Sequence, residues 1–239
     1  MSGWLLAIDT ATRQATVTLG TPDGRLIVGH DWPVGHTHAE TLLPALRELL
    51  AGAAVAPADL AGIVAGTGPG GFTGLRVGLA TAKTLAHGLG IPIAGIATTD
   101  ALAAAALAGQ GGDALVLLPA GPSDRYLALV RVARDGTARA IEPPRLLAPA
   151  DVGQAVADAI AAGARLVPVD LADAHAVAPD VALGRAALAG LGAALLRLGA
   201  RALARGRGER ADELVPTYVT LPRGVAAAGG GAAWSPDLR

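Results

Sequence analysis

Gly66-Thr67-Gly68-Pro69-Gly70-Gly71 follows the apolar run Ile63-Val64-Ala65 and leads into an amphipathic stretch. Glycines between a strand and a helix leave backbone N–H groups at a positive helix terminus, where a phosphate or another anion binds. Thr73 stands where its hydroxyl can cap the first turn of that helix. The spacing matches G-x-G-x-x-G, but no Asp or Glu lies between Gly71 and Asp100 to hold a ribose. No Gly-Lys-Ser/Thr follows either, so dinucleotide and P-loop chemistry are both disfavoured. The plain alternative is a loop whose glycines let it pack closely on the helix.

Asp9-Thr10-Ala11-Thr12 closes a second apolar run, Leu5–Ile8. An acid followed by small hydroxyl residues at a strand end suits Mg²⁺ held through water beside a phosphate. Ala11, however, places a Cβ where glycine would let the backbone approach. Asp9, Thr10, Gly70, Gly71 and Thr73 together form the candidate nucleotide or anion contact. An Asp that only accepts backbone N–H bonds is an equal reading. His36, His38 and Glu40 share a face only in an extended chain, whereas the periodicity from Ala39 onward is helical, so no metal site is assigned. Arg76 sits near the start of its helix, where a cation opposes the dipole, so helix stability alone does not account for it.

The elements that must position these residues are legible from the pattern. Leu5–Asp9, Gln14–Leu19 and Arg25–Trp32 read as three antiparallel strands, with Asp23-Gly24 as a hairpin signal. Ala39–Leu50 carries leucines at helical spacing and stops at Gly52, and Thr73–Leu89 is a second helix, giving βββαβαβ over the first hundred or so residues. Asp100–Ala108 is an alanine-rich helix that ends in a glycine-rich hinge at 109–112. Strands at Ala114–Leu118, Tyr126–Val132 and Ala138–Leu147 follow, then a helix capped by Asp151, a strand at Arg165–Val169 and a long helix at Leu183–Ala204. The domains expected are 1–108, 109–222 and a flexible, aperiodic tail at 223–239.

Bulk properties narrow the classes. The chain has 239 residues, 52% hydrophobic and 16% charged, with a formal charge of −1, which gives no basis for unaided nucleic-acid binding. Cysteine is absent, so disulfides, thiolate metal sites and cysteine nucleophiles are excluded together. The longest uncharged apolar run in the late Ala/Leu segment, Ala186–Leu196, falls short of the ~18 residues that span a bilayer, and no charged, apolar leader is evident. The expectation is a soluble, cytoplasmic protein with no membrane contact.

The stretch Gly68-Pro69-Gly70-Gly71-Phe72-Thr73-Gly74-Leu75-Arg76 resembles the TsaB (YeaZ) family, as do the strand ending Asp9-Thr10-Ala11-Thr12 and His38-Ala39-Glu40. The resemblance runs through residues 4–108, and Pro216-Thr217-Tyr218 is similar to a late family motif, with Thr220 where Arg is usual. The second half departs further: in the stretch Pro119–Tyr126 only Ala120, the acid Asp124 and Tyr126 keep the family's pattern. The resemblance implies an α/β fold of two actin-like (ASKHA, ribonuclease H-like) lobes, with mixed sheets flanked by helices. It implies a non-catalytic partner of TsaD, which makes N6-threonylcarbamoyladenosine in tRNAs reading codons that start with A. TsaD holds its metal with a histidine pair, and the corresponding positions here are Thr98 and Leu102, which cannot bind as imidazole does.

By the same resemblance the chain binds TsaD through its two N-terminal helices, with Leu42, Leu46, Leu49, Arg76, Leu79 and Lys83 as contacts. The ATPase TsaE joins near the junction, tRNA is met only through the complex, and a homodimer is the use of the same face when the chain is alone. No cofactor of its own is implied; ATP or ADP with Mg belongs to the assembled complex. The alternatives are an ATP-dependent actin-like phosphotransferase, in which Asp9 orders Mg²⁺, and a metallopeptidase-like protein. Arg197, Arg201 and Arg205 lie at i, i+4 spacing on the last helix and read as a solvated face.

Overall fold

The computed structural model describes residues 3–33, 38–171 and 178–219. The first sheet begins as an antiparallel meander of β1 (Trp4–Asp9), β2 (Gln14–Gly20) and β3 (Leu26–Pro33). Short turns permit antiparallel pairing, whereas parallel strands need a crossover. The helices α1 (His38–Gly52) and α2 (Phe72–Leu89) provide it, carrying the chain to β4 (Leu60–Gly66) and β5 (Ile93–Ile96) in the order β3-β2-β1-β4-β5. Ile8 lies opposite Ala65, so the acid that ends β1 and the glycine loop after β4 leave the sheet side by side.

Both faces of this sheet are covered. Leu6, Ile8, Val17, Leu19 and Ile63 pack under α1 and α2. Leu5, Ala7 and Val64 point the other way, into a core built on α5 (Ala178–Ala204) with α3 (Thr98–Ala106) packed beside it. The second sheet is built from β6 (Gly112–Ala120), β7 (Asp124–Val132), β8 (Ala138–Ala140), β9 (Arg145–Leu147) and β10 (Arg165–Pro168). Its inner face, with Ala114, Val116, Leu118 and Val130, closes on the same two helices. The outer face, with Leu115, Leu117 and Leu127, is covered by α4 (Pro149–Ala161). The stacking is helix, sheet, helix, sheet, helix, the arrangement expected of two fused α/β lobes.

Several local expectations are corrected. Pro143-Pro144 breaks the strand expected over Ala138–Leu147 into β8 and β9, since proline has no N–H for a ladder. The cap of α4 is Ala148 with Pro149 at the first helical position, and Asp151 lies within the first turn. Thr73 caps nothing: α2 is capped by Gly71 and Thr73 is its second residue, exposed. The last helix starts at Ala178, and its Pro179–Ala204 part is long and apolar enough to cross a membrane, with a mean hydropathy of 1.5. Its Ala187, Leu191, Ala194, Leu195 and Leu196 form the middle of the core, which accounts for the hydropathy. The 223–239 tail lies outside the described residues.

Sequence order and spatial order part at the end of the chain. α5 packs on both sheets, and the residues after it return to the first: Leu214 joins the core under α1 and α2, and the Glu209 N–H donates to the Ile93 carbonyl at 2.8 Å. Gly199 lets α5 lie close to the sheet, because a Cβ there would overlap Val64. Gly199→Ala is therefore expected to cost about 1–3 kcal/mol in urea unfolding through overpacking. Gly153 in α4 has nothing nearby, and Gly153→Ala should stabilise by roughly 0.5–1 kcal/mol. Equal effects at the two positions would contradict this packing.

Candidate partner interface

The two motifs that suggested phosphate chemistry meet, and each engages the other. Asp9 is buried, its Oδ1 accepting from the Ala11 N–H at 2.8 Å and its Oδ2 from the Thr98 hydroxyl at 2.6 Å. Thr98 Oγ1 in turn accepts from the Gly68 N–H at 3.0 Å. The Thr10 hydroxyl donates to the Gly74 carbonyl at 2.6 Å, and the Gly71 N–H donates to the Ala11 carbonyl at 2.7 Å. Gly66, Gly70 and Gly78 are pressed so tightly onto Asp9, Ala11 and Thr10 that a Cβ on any of them would overlap its neighbour. The glycine loop is thus a lid on the β1–β2 turn.

The second lobe completes the closure. Asp170, just after β10, accepts from the Arg13 N–H at 2.6 Å, and burial pushes its carboxyl above the ordinary range. The amides of Ala11, Arg13, Gly68 and Gly71, which a phosphate would use, all donate within the chain. Two carboxyl groups, Asp9 and Asp170, sit where an anion would have to approach. Asp9, Thr10 and Gly71 are thus held in contacts within the chain, Gly70 packs on Ala11, and Thr73 stands exposed in the first turn of α2.

The positions of the implied metal pair have other duties as well. Thr98 is tied to Asp9, and Leu102 is buried inside α3. No group of three metal-binding side chains occurs among the described residues. His36 lies outside them, as does the side chain of His38.

The open surface lies on α1 and α2. Arg76 is stacked on Phe72, its guanidinium carbon 3.6 Å from the ring centroid, and its Nε donates to the Tyr218 hydroxyl at 2.9 Å. Phe72 and Tyr218 are themselves in ring contact at 5.8 Å. Two turns along α2, Lys83 donates to the Leu214 carbonyl at 2.8 Å, and the Thr217 N–H donates to the Thr67 carbonyl at 2.8 Å. Residues 214–218 therefore run along α2 as a strap. Cation–π stacking contributes ~0.5–1 kcal/mol at an exposed site, which offsets the dipole penalty that made Arg76 anomalous. The sequence singled out Arg76 and Pro216-Thr217-Tyr218 separately; their pairing was not readable, because 142 residues separate Arg76 from Tyr218.

Part of the expected contact set points inward. Leu42, Leu46, Leu49 and Leu79 are buried against the sheet and cannot meet a partner while the chain is folded. Their helical spacing is the core stripe of each helix. What stays exposed is Leu43 on α1, Phe72 at the start of α2, and Val215 and Tyr218 on the strap, with Arg76 stacked on Phe72 and bonded to Tyr218.

Residues 34–153, half of the chain, match the family model described as TsaD, tRNA N6-adenosine threonylcarbamoyltransferase. The tRNA threonylcarbamoyladenosine biosynthesis protein TsaB of Bacillus subtilis is 38% identical over 100 residues, which are 42% of this chain and 43% of that protein. The solved structure of YeaZ from Pseudomonas aeruginosa superposes with a TM-score of 0.66 at 26% identity, over 90% of this chain and 99% of the other. The chain belongs to the TsaB (YeaZ) family. An uncharacterized protein of Mycobacterium tuberculosis is also similar, 40% identical over 125 residues, or 52% of this chain and 57% of its own length. The chain thus spans about half the length of the curated relatives it matches. The YeaZ likeness, by contrast, extends over both sheets and supports the two-lobed actin-like fold expected from sequence.

The closed turn of this family member has a measurable signature. Burial raises the Asp9 carboxyl from 3.8 to about 6, against the lowering effect of the Thr98 and Ala11 hydrogen bonds. A raised acid pKa means that the folded state holds its proton while the unfolded chain has released it. Stability is fully present below pH ~4 and falls until pH ~6, by about 3 kcal/mol in all. Asp100, also raised to about 6 by burial, contributes in the same window. Asp9→Asn should flatten the dependence by roughly half, measured by urea unfolding between pH 4 and 7. A slope equal to that of the unmodified chain would show that Asp9 is not buried as described.

Proposed function

We propose that this chain is a non-catalytic partner that activates a TsaD-type subunit in the formation of N6-threonylcarbamoyladenosine in tRNA. The observation that carries the reading is the closure of the β1–β2 turn. The Asp9 carboxyl and the amides of Ala11, Arg13, Gly68 and Gly71, groups that phosphoryl or carbamoyl transfer could draw on, are engaged inside the chain. Catalysis depends on groups free to stabilise charge as it develops, and these are not free. The phosphotransferase and metallopeptidase alternatives both lose support on the same ground.

Partner binding is supported by the outer helices. Large apolar and aromatic groups grouped around an arginine are the composition of an interface centre rather than of an ordinary surface. In this reading Leu43, Phe72, Arg76 and the strap residue Tyr218 face TsaD, while Leu42, Leu46, Leu49 and Leu79 act from beneath by holding α1 and α2 in place. Lys83 contributes through the strap it anchors. The curated relative named for tRNA threonylcarbamoyladenosine biosynthesis supports the choice of reaction. TsaE and tRNA then meet the assembled pair, with nucleotide and Mg²⁺ belonging to that complex, and the place of action is the cytoplasm.

Co-purification with TsaD, followed by reconstitution of tRNA modification with and without this chain, tests the reading. Leu43→Glu and Arg76→Glu are exposed changes and should leave the fold intact. Each is expected to weaken TsaD binding by about tenfold or more, as interface-centre residues do, and to reduce modified tRNA in parallel. Unchanged affinity and unchanged modification in both variants would refute the interface.

A further inference from the structure

A cleft of about 770 Å³ opens between the edges of the two sheets, away from the β1–β2 turn. Its size is that of a small-molecule pocket. Ile96 and Ala97 at the end of β5, with Leu198 and Ala202 of α5, form an apolar floor. Arg201, Arg205 and Arg207 line one end, Arg139 of β8 lies across from them, and Asp100 of α3 lines the cleft too. The chain as a whole has a formal charge of −1, so this cationic concentration is local.

The acids of the cleft, Asp100 and Asp135, are fewer than its arginines, and Asp135 interacts by charge with both Arg201 and Arg205. Arg131 is taken by Asp113 in a two-bonded pair at 2.8 Å, and Arg201 shares Asp135 at 3.5 Å. Arg139, Arg205 and Arg207 have no ion pair among the described residues. Just behind them Arg197 is half-buried, and desolvation together with the charge of Arg201 pushes its pKa down. A helix C-terminus favours cations, which accounts for arginines at the end of α5. It accounts neither for Arg139 nor for Asp100, whose carboxyl accepts from the Ala140 backbone N–H while its buried Oδ1 has no partner. An orphaned carboxylate oxygen in a cavity calls for a donor, and a surplus of guanidinium groups calls for an anion.

We propose that this cleft binds a nucleotide-sized organic phosphate, its phosphate held by Arg201, Arg205 and Arg207 and its other end donating a hydrogen bond to Asp100. Such a ligand touches α3 and β5 of the first lobe and β8 of the second, so it bridges the two lobes.

Calorimetric titration of the isolated full chain with ADP and with inorganic pyrophosphate tests the site. ADP is expected to bind saturably and to raise the melting temperature. Arg205→Glu with Arg207→Glu, both exposed positions, should weaken ADP and pyrophosphate at least tenfold while the circular dichroism spectrum is unchanged. Asp100→Asn should weaken ADP several-fold and leave pyrophosphate as it was. The proposal is overturned if neither probe binds saturably, or if the double variant binds both as before. It is equally overturned if Thr98→Val abolishes binding that the double variant keeps, which would place the ligand at the β1–β2 turn. Binding of tRNA that the double variant loses, with no binding of ADP, would make the arginines an RNA surface instead. No TsaD is present in these titrations, so their outcome is separate from that of the partner test.

Discussion

The buried carboxyl of Asp9 is the constraint around which the rest is arranged. It stands at the end of the central strand β1 and holds the turn through Ala11 and the start of α3 through Thr98. Through Thr98 it also reaches the glycine loop. A buried acid is costly unless it accepts hydrogen bonds, so its donors cannot be given up to a ligand without loss. The glycines follow from this: only residues without a side chain can come close enough to close the lid. What resembles a phosphate cradle in sequence is a clasp in the fold.

A second constraint is the shared middle layer. α5 packs on both sheets at once and α3 fills the layer between α5 and the second sheet, with small residues that allow close approach and leucines that fill the space. The alanine bias of the chain suits this position, since bulky helices could not be covered on two faces at such short range. Because the inner face of each sheet is committed to this layer, the outer helices α1, α2 and α4 offer the broad helical faces left for a protein partner. The aromatic and arginine cluster is on α2.

Much of the fold was legible. An apolar run marked β1, alternation marked β2, the leucine spacing marked α1, and the family resemblance implied the actin-like lobes. The glycine motif identified the family. Leu42, Leu46, Leu49 and Leu79 show the limit: periodicity tells that a stripe is apolar, not whether a sheet or a partner covers it. Arg76 shows the converse. Its oddity at a helix start was visible, but the reason, a tyrosine on a distant strap, depends on tertiary closure. The breaks at Pro143-Pro144 and the cap at Ala148 could have been read from proline chemistry alone.

The return of α5 and the strap to the first sheet bears on how the chain is made. The first sheet's strands are complete once β5 has left the ribosome, but one of its faces has no helix of its own to rest on until α5 emerges. The strap that joins α2 comes later still. The nascent first lobe therefore carries an uncovered apolar face during synthesis of most of the second. The packing of the first lobe is thus completed by contacts distant in sequence, of the kind that slows folding in general.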